Sequence, residues 1–221
     1  MTRPIRCLIT AGPTREYFDP VRFMSNPSTG KMGYALAQAA IDAAWTVDLI
    51  SGPVSIPPPQ GANLYSITTG AELQQTCHEL FPTCDILIMC AAVCDMRPAQ
   101  THPHKIKKES FEWNIRFEPV PDILKGLSAV RKPGQVMVGF AAETRDIAEY
   151  ARRKLKEKNL DCIVANDVSR TDAGFGADTN TVTLYARTGE TYALQPGTKL
   201  EVASSLLALF APSLCQSRTS S

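Results

Sequence analysis

Five short, almost uninterrupted apolar runs are spaced along the chain with room for a helix between them, and few folds satisfy that alternation. They are IRCLITA at 5–11, TVDLIS at 46–51, DILIMCAAV at 85–93, VMVGF at 136–140 and DCIVA at 161–165. A strand with one face in water alternates apolar with polar residues, whereas a strand covered by helices on both faces does not need to. The intervening segments carry the helical period. In GKMGYALAQAAIDAA, Met32, Ala35, Leu36, Ala39, Ala40 and Ala43 recur at i, i+3, i+4, i+7, i+8 and i+11 and make one stripe. Thr69 with Glu72 forms a capping-box pattern that opens a helix through Leu80. Residues 122–130, 146–158 and 199 to about 210 read as further helices. This order predicts an α/β fold, a doubly wound, Rossmann-like, mostly parallel sheet with helices on both faces.

Two stretches interrupt the alternation. Residues 12–29 (GPTREYFDPVRFMSNPST) separate the first strand from its helix, where a simple connection takes about two to six residues. A loop this long, carrying Arg, Asn, Ser and aromatic residues, is expected to be functional. Residues 96–119 pass from a Pro-rich loop into an alternating pattern at Phe111, Trp113, Ile115 and Phe117, which predicts an antiparallel flap. TVTLYARTGETYALQ reads as a hairpin turning at Thr188-Gly189. Residues 1–212 are expected to form a single domain and 213–221 a disordered tail.

The 221 residues are 44% hydrophobic and 20% charged, enough to build one large core without metal or disulfide staples. A net charge of +1 advertises neither a nucleic-acid nor a membrane partner, so any anion site must come from local clustering. Seven cysteines, an odd number scattered through apolar segments, read as reduced thiols of a cytoplasmic protein. No pair of them shows C-x-x-C spacing, and His78, His102 and His104 offer no plausible zinc-ligand set with them. No apolar run reaches the roughly 18 to 20 residues of a membrane span, and the N-terminus has no signal-peptide pattern.

STGKMG at 28–33 departs from a Walker A loop twice: Ser25 stands where its first Gly belongs, and Met32 where its Mg²⁺-binding hydroxyl belongs. Two readings remain. The small residues open a helix whose unpaired N–H groups bind an anion, or Gly30 and Gly33 let helix and strand pack closely. Arg22 and Asn26 bring polar groups to the same loop. Asp95 directly follows a buried strand, which places it at the carboxyl end of the sheet, where doubly wound folds bind ligands. Lys105, Lys107 and Lys108 follow; a carboxylate beside several ammonium groups suits a Mg²⁺-bound polyphosphate, while a solvated basic loop is the plainer reading. Lys154 and Lys158 share a helix face at i, i+4, a repulsion of about 0.2–0.5 kcal/mol that Glu157 or a bound anion would offset. Phe140 and Glu143 lie at the end of another strand. Cys94 has no identifiable histidine partner, so no cysteine nucleophile is expected.

The segments ITAGPTRE, DPVRFMSNPSTGKMG, LISGPVS, AAVCDMRP, KIKK, PDIL, GFAAET and ANDV occur in this order over about residues 5–210. Together they closely resemble phosphopantothenate-cysteine ligase, also called phosphopantothenoylcysteine synthetase, of the bacterial type. The resemblance implies a reaction of coenzyme A biosynthesis. The carboxylate of 4'-phosphopantothenate attacks the α-phosphate of CTP, pyrophosphate leaves, and the amine of cysteine displaces CMP from the acyl-cytidylate. It also implies Mg²⁺, CTP as co-substrate, no FMN in this chain, a homodimer to which the flap contributes, and a separate phosphopantothenoylcysteine decarboxylase. By the family's motifs, Lys105 stabilises charge in the first step and Asn26 donates to the acyl oxygen of the intermediate. The implied nucleotide contacts are Met89, Cys90, Ala91, Asp95, Lys105, Pro121, Asp122, Ile123, Leu124, Phe140, Lys154 and Lys158, with Asp95 also a Mg²⁺ ligand. Arg22 and Asn26 are implied to bind phosphopantothenate. Pro27 stands where bacterial members commonly have His, and Cys94 where they have Ala.

A nicotinamide-dependent oxidoreductase would need G-x-G-x-x-G after the first strand and an acid ending the second. TAGPTREYF lacks the glycines, and the second strand runs into Ser51-Gly52-Pro53. A non-catalytic nucleotide-binding module and an ATP-using ligase of the same type stay open as alternatives.

Overall fold

β1 (Arg6–Ala11) leads into a small antiparallel hairpin, β2 (Arg15–Tyr17) with β3 (Phe23–Ser25), before α1 (Lys31–Asp42) begins. β4 (Thr46–Ser51) and β5 (Asn63–Ser66) precede α2 (Gly70–Leu80), whose capping box at Thr69 and Glu72 forms as the sequence predicts. β6 (Ile86–Met89) is followed by a second ribbon, β7 (Met96–Pro98) against β8 (Phe117–Pro119). The alternation resumes with α3 (Ile123–Ala129), β9 (Val136–Glu143), α4 (Ile147–Glu157) and β10 (Cys162–Asp167). Then come β11 (Thr179–Asn180), the hairpin of β12 (Val182–Ala186) and β13 (Thr191–Ala193), β14 (Gly197–Thr198) and α5 (Lys199–Thr219). The computed structural model describes residues 3–110, 114–143, 145–167 and 176–219.

The eight-stranded central sheet has the order β13-β12-β10-β9-β6-β1-β4-β5. It is parallel from β10 to β5, with β12 and β13 added antiparallel at one edge. From β1 the chain first builds outward through β4 and β5, then returns to β6 on the other side and builds toward β9 and β10. The crevice between β1 and β6 is therefore the switch point, where side chains beyond the strand carboxyl ends are left uncovered by crossover helices.

Side-chain alternation explains the uninterrupted apolar runs. Cys7 and Ile9 of β1, Ile86 and Ile88 of β6, and Val136 and Val138 of β9 face one layer, with Leu36 and Ala40 of α1 and Val202, Leu206 and Phe210 of α5. Leu8, Leu87 and Met137 face the other, packed on Leu73 of α2, Leu127 of α3 and Ala151 of α4. Each fully buried Leu or Ile contributes about 1.5–3 kcal/mol by leaving water, so neither face tolerates a polar residue cheaply.

The structure differs from the sequence expectations in four places. Within 12–29 lies the β2–β3 hairpin rather than an irregular loop. β5, whose sequence NLYS is largely exposed, joins as an edge strand; with little to bury it carries no apolar signal. Among the described residues the flap pairs as a strand at Phe117–Pro119, and Phe111 and Trp113 lie outside them. Finally, α5 continues to Thr219, through most of the segment expected to be a tail. Leu214, four residues after Phe210, extends the same stripe into the core and is wholly buried. Among the described residues no helix is long and apolar enough to cross a membrane.

Candidate functional site at the strand carboxyl ends

Two cavities open at the switch point and meet at Ala91, Val93 and Phe140. The first, about 360 Å³, is lined by Asn26, by residues 28–33 at the start of α1, and by the turn after β6. Asn166, Asn180 and Lys199 complete its far wall. The second, about 300 Å³, lies between Asp95, the segment 120–124 leading into α3, and Lys154 of α4 with Lys158 at its C-terminal cap.

The glycines at the start of α1 serve both readings open from sequence. A Cβ on Gly33 would stand 2.5 Å from the Ala11 Cβ, so α1 rests directly on β1. Gly30 adopts φ +77 as N-cap, and a Cβ there would lie 2.7 Å from Val54 Cγ1. No side chain caps the helix. Close packing thus brings an uncapped helix N-terminus, with its positive dipole end, to the cavity wall.

Two buried threonines that sequence reasoning missed hold the turn after β6. Thr10 Oγ1 accepts from the N–H groups of Cys90 and Ala91, both at 3.1 Å, and Thr14 Oγ1 accepts from Cys94 N–H at 3.0 Å. Thr10 lies in β1 and Thr14 just beyond it, and each looks in sequence like an ordinary small polar residue. The Asn26 Nδ2 donates to the carbonyls of Ala92 (3.2 Å) and Val93 (3.1 Å). Two carbonyl partners fix which end of the amide is which. Both Nδ2 hydrogens are engaged, so the expected donation to an acyl oxygen requires one of these bonds to open. The Cys94 thiol is pushed up by burial and donates weakly to the carbonyls of Thr14 and Met24 (3.7 and 3.8 Å), consistent with an inert residue.

In the second cavity the like-charged pair of Lys154 and Lys158 finds partners on other elements. Lys154 Nζ donates to Glu143 Oε1 at the end of β9 (2.7 Å), and Lys158 Nζ lies 3.0 Å from Asp122 Oδ2. Asp122 also caps α3, accepting from Lys125 N–H at 3.1 Å. Glu157, the partner the sequence offers, stands instead 3.9 Å from Arg153. Asp95 and Asp122 against Lys154 and Lys158 leave the lining of this cavity electrically balanced. The first cavity contains Lys31 and Lys199 and, among the described residues, no carboxylate. Neither lysine was singled out from sequence.

Of the twelve nucleotide contacts implied by resemblance, ten line the second cavity: Met89, Ala91, Asp95, Pro121, Asp122, Ile123, Leu124, Phe140, Lys154 and Lys158. Cys90 lines the first. Lys105 and Arg22 line neither. Arg22 Nη2 donates to the Ile106 carbonyl at 2.5 Å, while Asp19 Oδ2 accepts from Ile106 N–H at 3.2 Å, so the segment bearing Lys105 is tied to the 19–22 turn. Burial alone would raise the Asp19 carboxyl, but the N–H groups of Val21, Arg22 and Ile106 outweigh it and hold the group below its ordinary range.

A family model described as the DNA/pantothenate metabolism flavoprotein C-terminal domain matches residues 3–213. The "Coenzyme A biosynthesis bifunctional protein CoaBC" of Bacillus subtilis (strain 168) is 48% identical over 201 residues, 90% of this chain and 49% of that protein. Its namesake from Escherichia coli (strain K12) is 44% identical over 189 residues, 84% of this chain and 47% of that protein. The chain thus spans about half the length of these curated relatives. The crystal structure of the C-terminal domain of a CoaBC protein superposes with a TM-score of 0.82 at 39% identity, covering 96% of both chains. Sequence motifs, sheet order and these matches agree, and the chain belongs to the DNA/pantothenate metabolism flavoprotein C-terminal domain family, which the resemblance to phosphopantothenate-cysteine ligase anticipated.

Proposed function

We propose that this chain is the ligase of coenzyme A biosynthesis that joins 4'-phosphopantothenate to cysteine at the expense of CTP. The observation that carries the reading is the convergence of ten separately implied nucleotide contacts, from four segments of the chain, on one cavity at the switch point. Its balanced pairs suit a nucleoside, whose hydroxyl, amino and carbonyl groups need donors and acceptors rather than net charge. The adjoining cavity, with two lysines and the uncapped start of α1, suits the phosphate chain.

In the first step a substrate carboxylate oxygen bonds to the α-phosphorus. The bond from that phosphorus to the pyrophosphate oxygen breaks, and its electron pair leaves with pyrophosphate. In the second, the cysteine amine bonds to the acyl carbon, CMP departs with the C–O electron pair, and the amine releases a proton to solvent. Asn26 lines the cavity beside the turn after β6, where it orients the acyl group. Lys105 lines neither cavity and adjoins Ile106 on the segment tied to Arg22; in this reading its charge serves the first step. Among the described residues no three His, Cys, Asp or Glu side chains cluster as a metal cage. Asp95, on the wall of the second cavity, would hold Mg²⁺, which when bound would neutralise charge on the nucleotide's phosphates.

A homodimer is part of this reading. Val21, Phe23, Met96 and Phe117 are exposed on the two antiparallel ribbons, and Phe18 contacts Phe117 edge to face, so one apolar surface crosses both. The product would pass to a phosphopantothenoylcysteine decarboxylase.

The test is pyrophosphate release from purified protein. It is expected only when CTP, Mg²⁺ and 4'-phosphopantothenate are all present, with amide formation following on addition of cysteine. CTP binding without release would leave a non-catalytic nucleotide-binding module, and equal turnover with ATP would overturn the nucleotide assignment.

A further inference from the structure

Lys199 is placed against its own stability in three ways. It is 6% exposed, although an ammonium loses strong hydration on burial. It is the first residue of α5, where the helix dipole favours acids and disfavours cations. Lys31 lines the same cavity, and burial first, then the Lys31 charge, pull the Lys199 ammonium below its ordinary value.

Its surroundings do not answer the charge. Lys199 Nζ donates to the Thr179 carbonyl at 3.2 Å, and it has no ion pair among the described residues. Asp178, whose charge acts on it, is engaged by Lys31 Nζ at 2.6 Å. A lysine used only for packing would be replaceable by Met or Leu, which keep the stem and lose the penalty. What the charge can do is set by what it faces: a cavity of about 360 Å³ with Lys31, Asn180, Ser28 and the uncapped start of α1 on its walls, and no carboxylate among the described residues.

We infer that Lys199 is the buried anchor of the nucleotide's phosphate chain, gripping the β- and γ-phosphates that depart as pyrophosphate. This rests on the ligase reading for the identity of the anion, although the anion site itself does not. The ammonium, fixed by the Thr179 carbonyl and by its place at the head of α5, adds a localised charge to the diffuse one of the α1 terminus. Lys31 at the rim can leave the exposed Asp178 carboxylate for a phosphate, which Lys199 has no need to do.

Inorganic pyrophosphate is the probe, followed by calorimetry and by thermal unfolding of the intact chain. Pyrophosphate is expected to bind and stabilise the wild type. Lys199→Met is expected to unfold at a higher temperature than wild type without ligand, to bind pyrophosphate at least about tenfold more weakly, and to raise the KM for CTP more than it lowers kcat. A merely structural lysine would instead lower the unfolding temperature and leave pyrophosphate affinity unchanged, and that pair of results overturns the inference. Should the Met variant fail to fold, Lys199→Gln carries the same comparison and Lys199→Arg is expected to restore affinity. Weakened pyrophosphate binding in a protein without ligase activity would sink the ligase reading and keep the anion site. Full activity with unchanged affinity would do the reverse.

Discussion

The two cavities share three residues and one sheet edge, yet they are built on opposite electrostatic plans. In one, each lysine meets a carboxylate delivered by a different element: Lys154 meets Glu143, and Lys158 meets Asp122. In the other, Lys31 finds its acid only at the exposed rim and Lys199 finds none among the described residues. A balanced site costs the fold little and recognises by shape and hydrogen bonding. An unbalanced one stores a cost that an anion relieves, and such stored cost belongs where a ligand arrives. Neither plan can be read from charge totals, because the same residue types build both.

Five measurements break or sharpen that contrast. The largest effect is expected where the cavities meet. Asn26→Ala should accumulate acyl-cytidylate, with amide formation slowed about 10²–10³-fold as for comparable amide donors. Mass spectrometry of the quenched mixture checks it, and normal amide formation would remove Asn26 from the chemistry. Its companion, Lys105→Gln, should block pyrophosphate release, and normal release would confine the chemistry to the two cavities.

Next in size is the contact that sets the first cavity's wall. Gly33→Ala forces a methyl against Ala11 and should cost about 1–3 kcal/mol. For a chain of this length that is a fall of several degrees in unfolding temperature. An unchanged melt would mean α1 is free to lift off β1.

A smaller effect separates the plans by sign. Glu143→Gln strips the acid from a partly exposed pair and should destabilise by about 1 kcal/mol or less, whereas Lys199→Met should stabilise. Parallel melts check this, and equal signs would erase the distinction. The least effect is in pH. Because the folded protein holds the Lys199 proton less tightly than the unfolded chain, the unfolded state binds more protons between the lowered value and 10.5, so wild-type stability rises with pH there. The advantage of Lys199→Met should be complete below that window and fade as pH climbs toward 10.5. Lys31, Asp178 and Cys90 are the charged and titratable groups acting on it, and burial keeps the Cys90 thiol neutral, pushed up to about 12. A constant difference across that range would show that charge is not what Lys199 contributes.

Much of the fold was legible because it follows from local periodicity. The five apolar runs became β1, β4, β6, β9 and β10, the α1 stripe packs as spaced, and the capping box at Thr69 forms. β5 was not legible, since an exposed edge strand buries nothing that patterning can register. The end of α5 was missed because Leu214, buried in the core, stands among small and polar neighbours in the sequence. In the site, the ten converging contacts came from motif resemblance and their convergence from the fold. Thr10 and Thr14 lie within ITAGPTRE and Lys31 within STGKMG, yet those motifs gave them no role, and Lys199 lies in no motif, because what they do depends on partners 80 or more residues away for the threonines, and 147 and 20 away for Lys31 and Lys199.

The amino-acid sequence by itself determined a layered α/β sheet, the segments that end at its ligand edge, and the family, since these rest on periodicity and on motifs within short windows. Only the tertiary structure decided the strand order that opens the β1–β6 crevice, the pairing of Lys154 and Lys158 with their carboxylates, and the burial of Lys199 without an ion pair among the described residues. Those depend on which strand ends become neighbours, and the energy of a charge is set by what surrounds it in space rather than by what adjoins it in the chain.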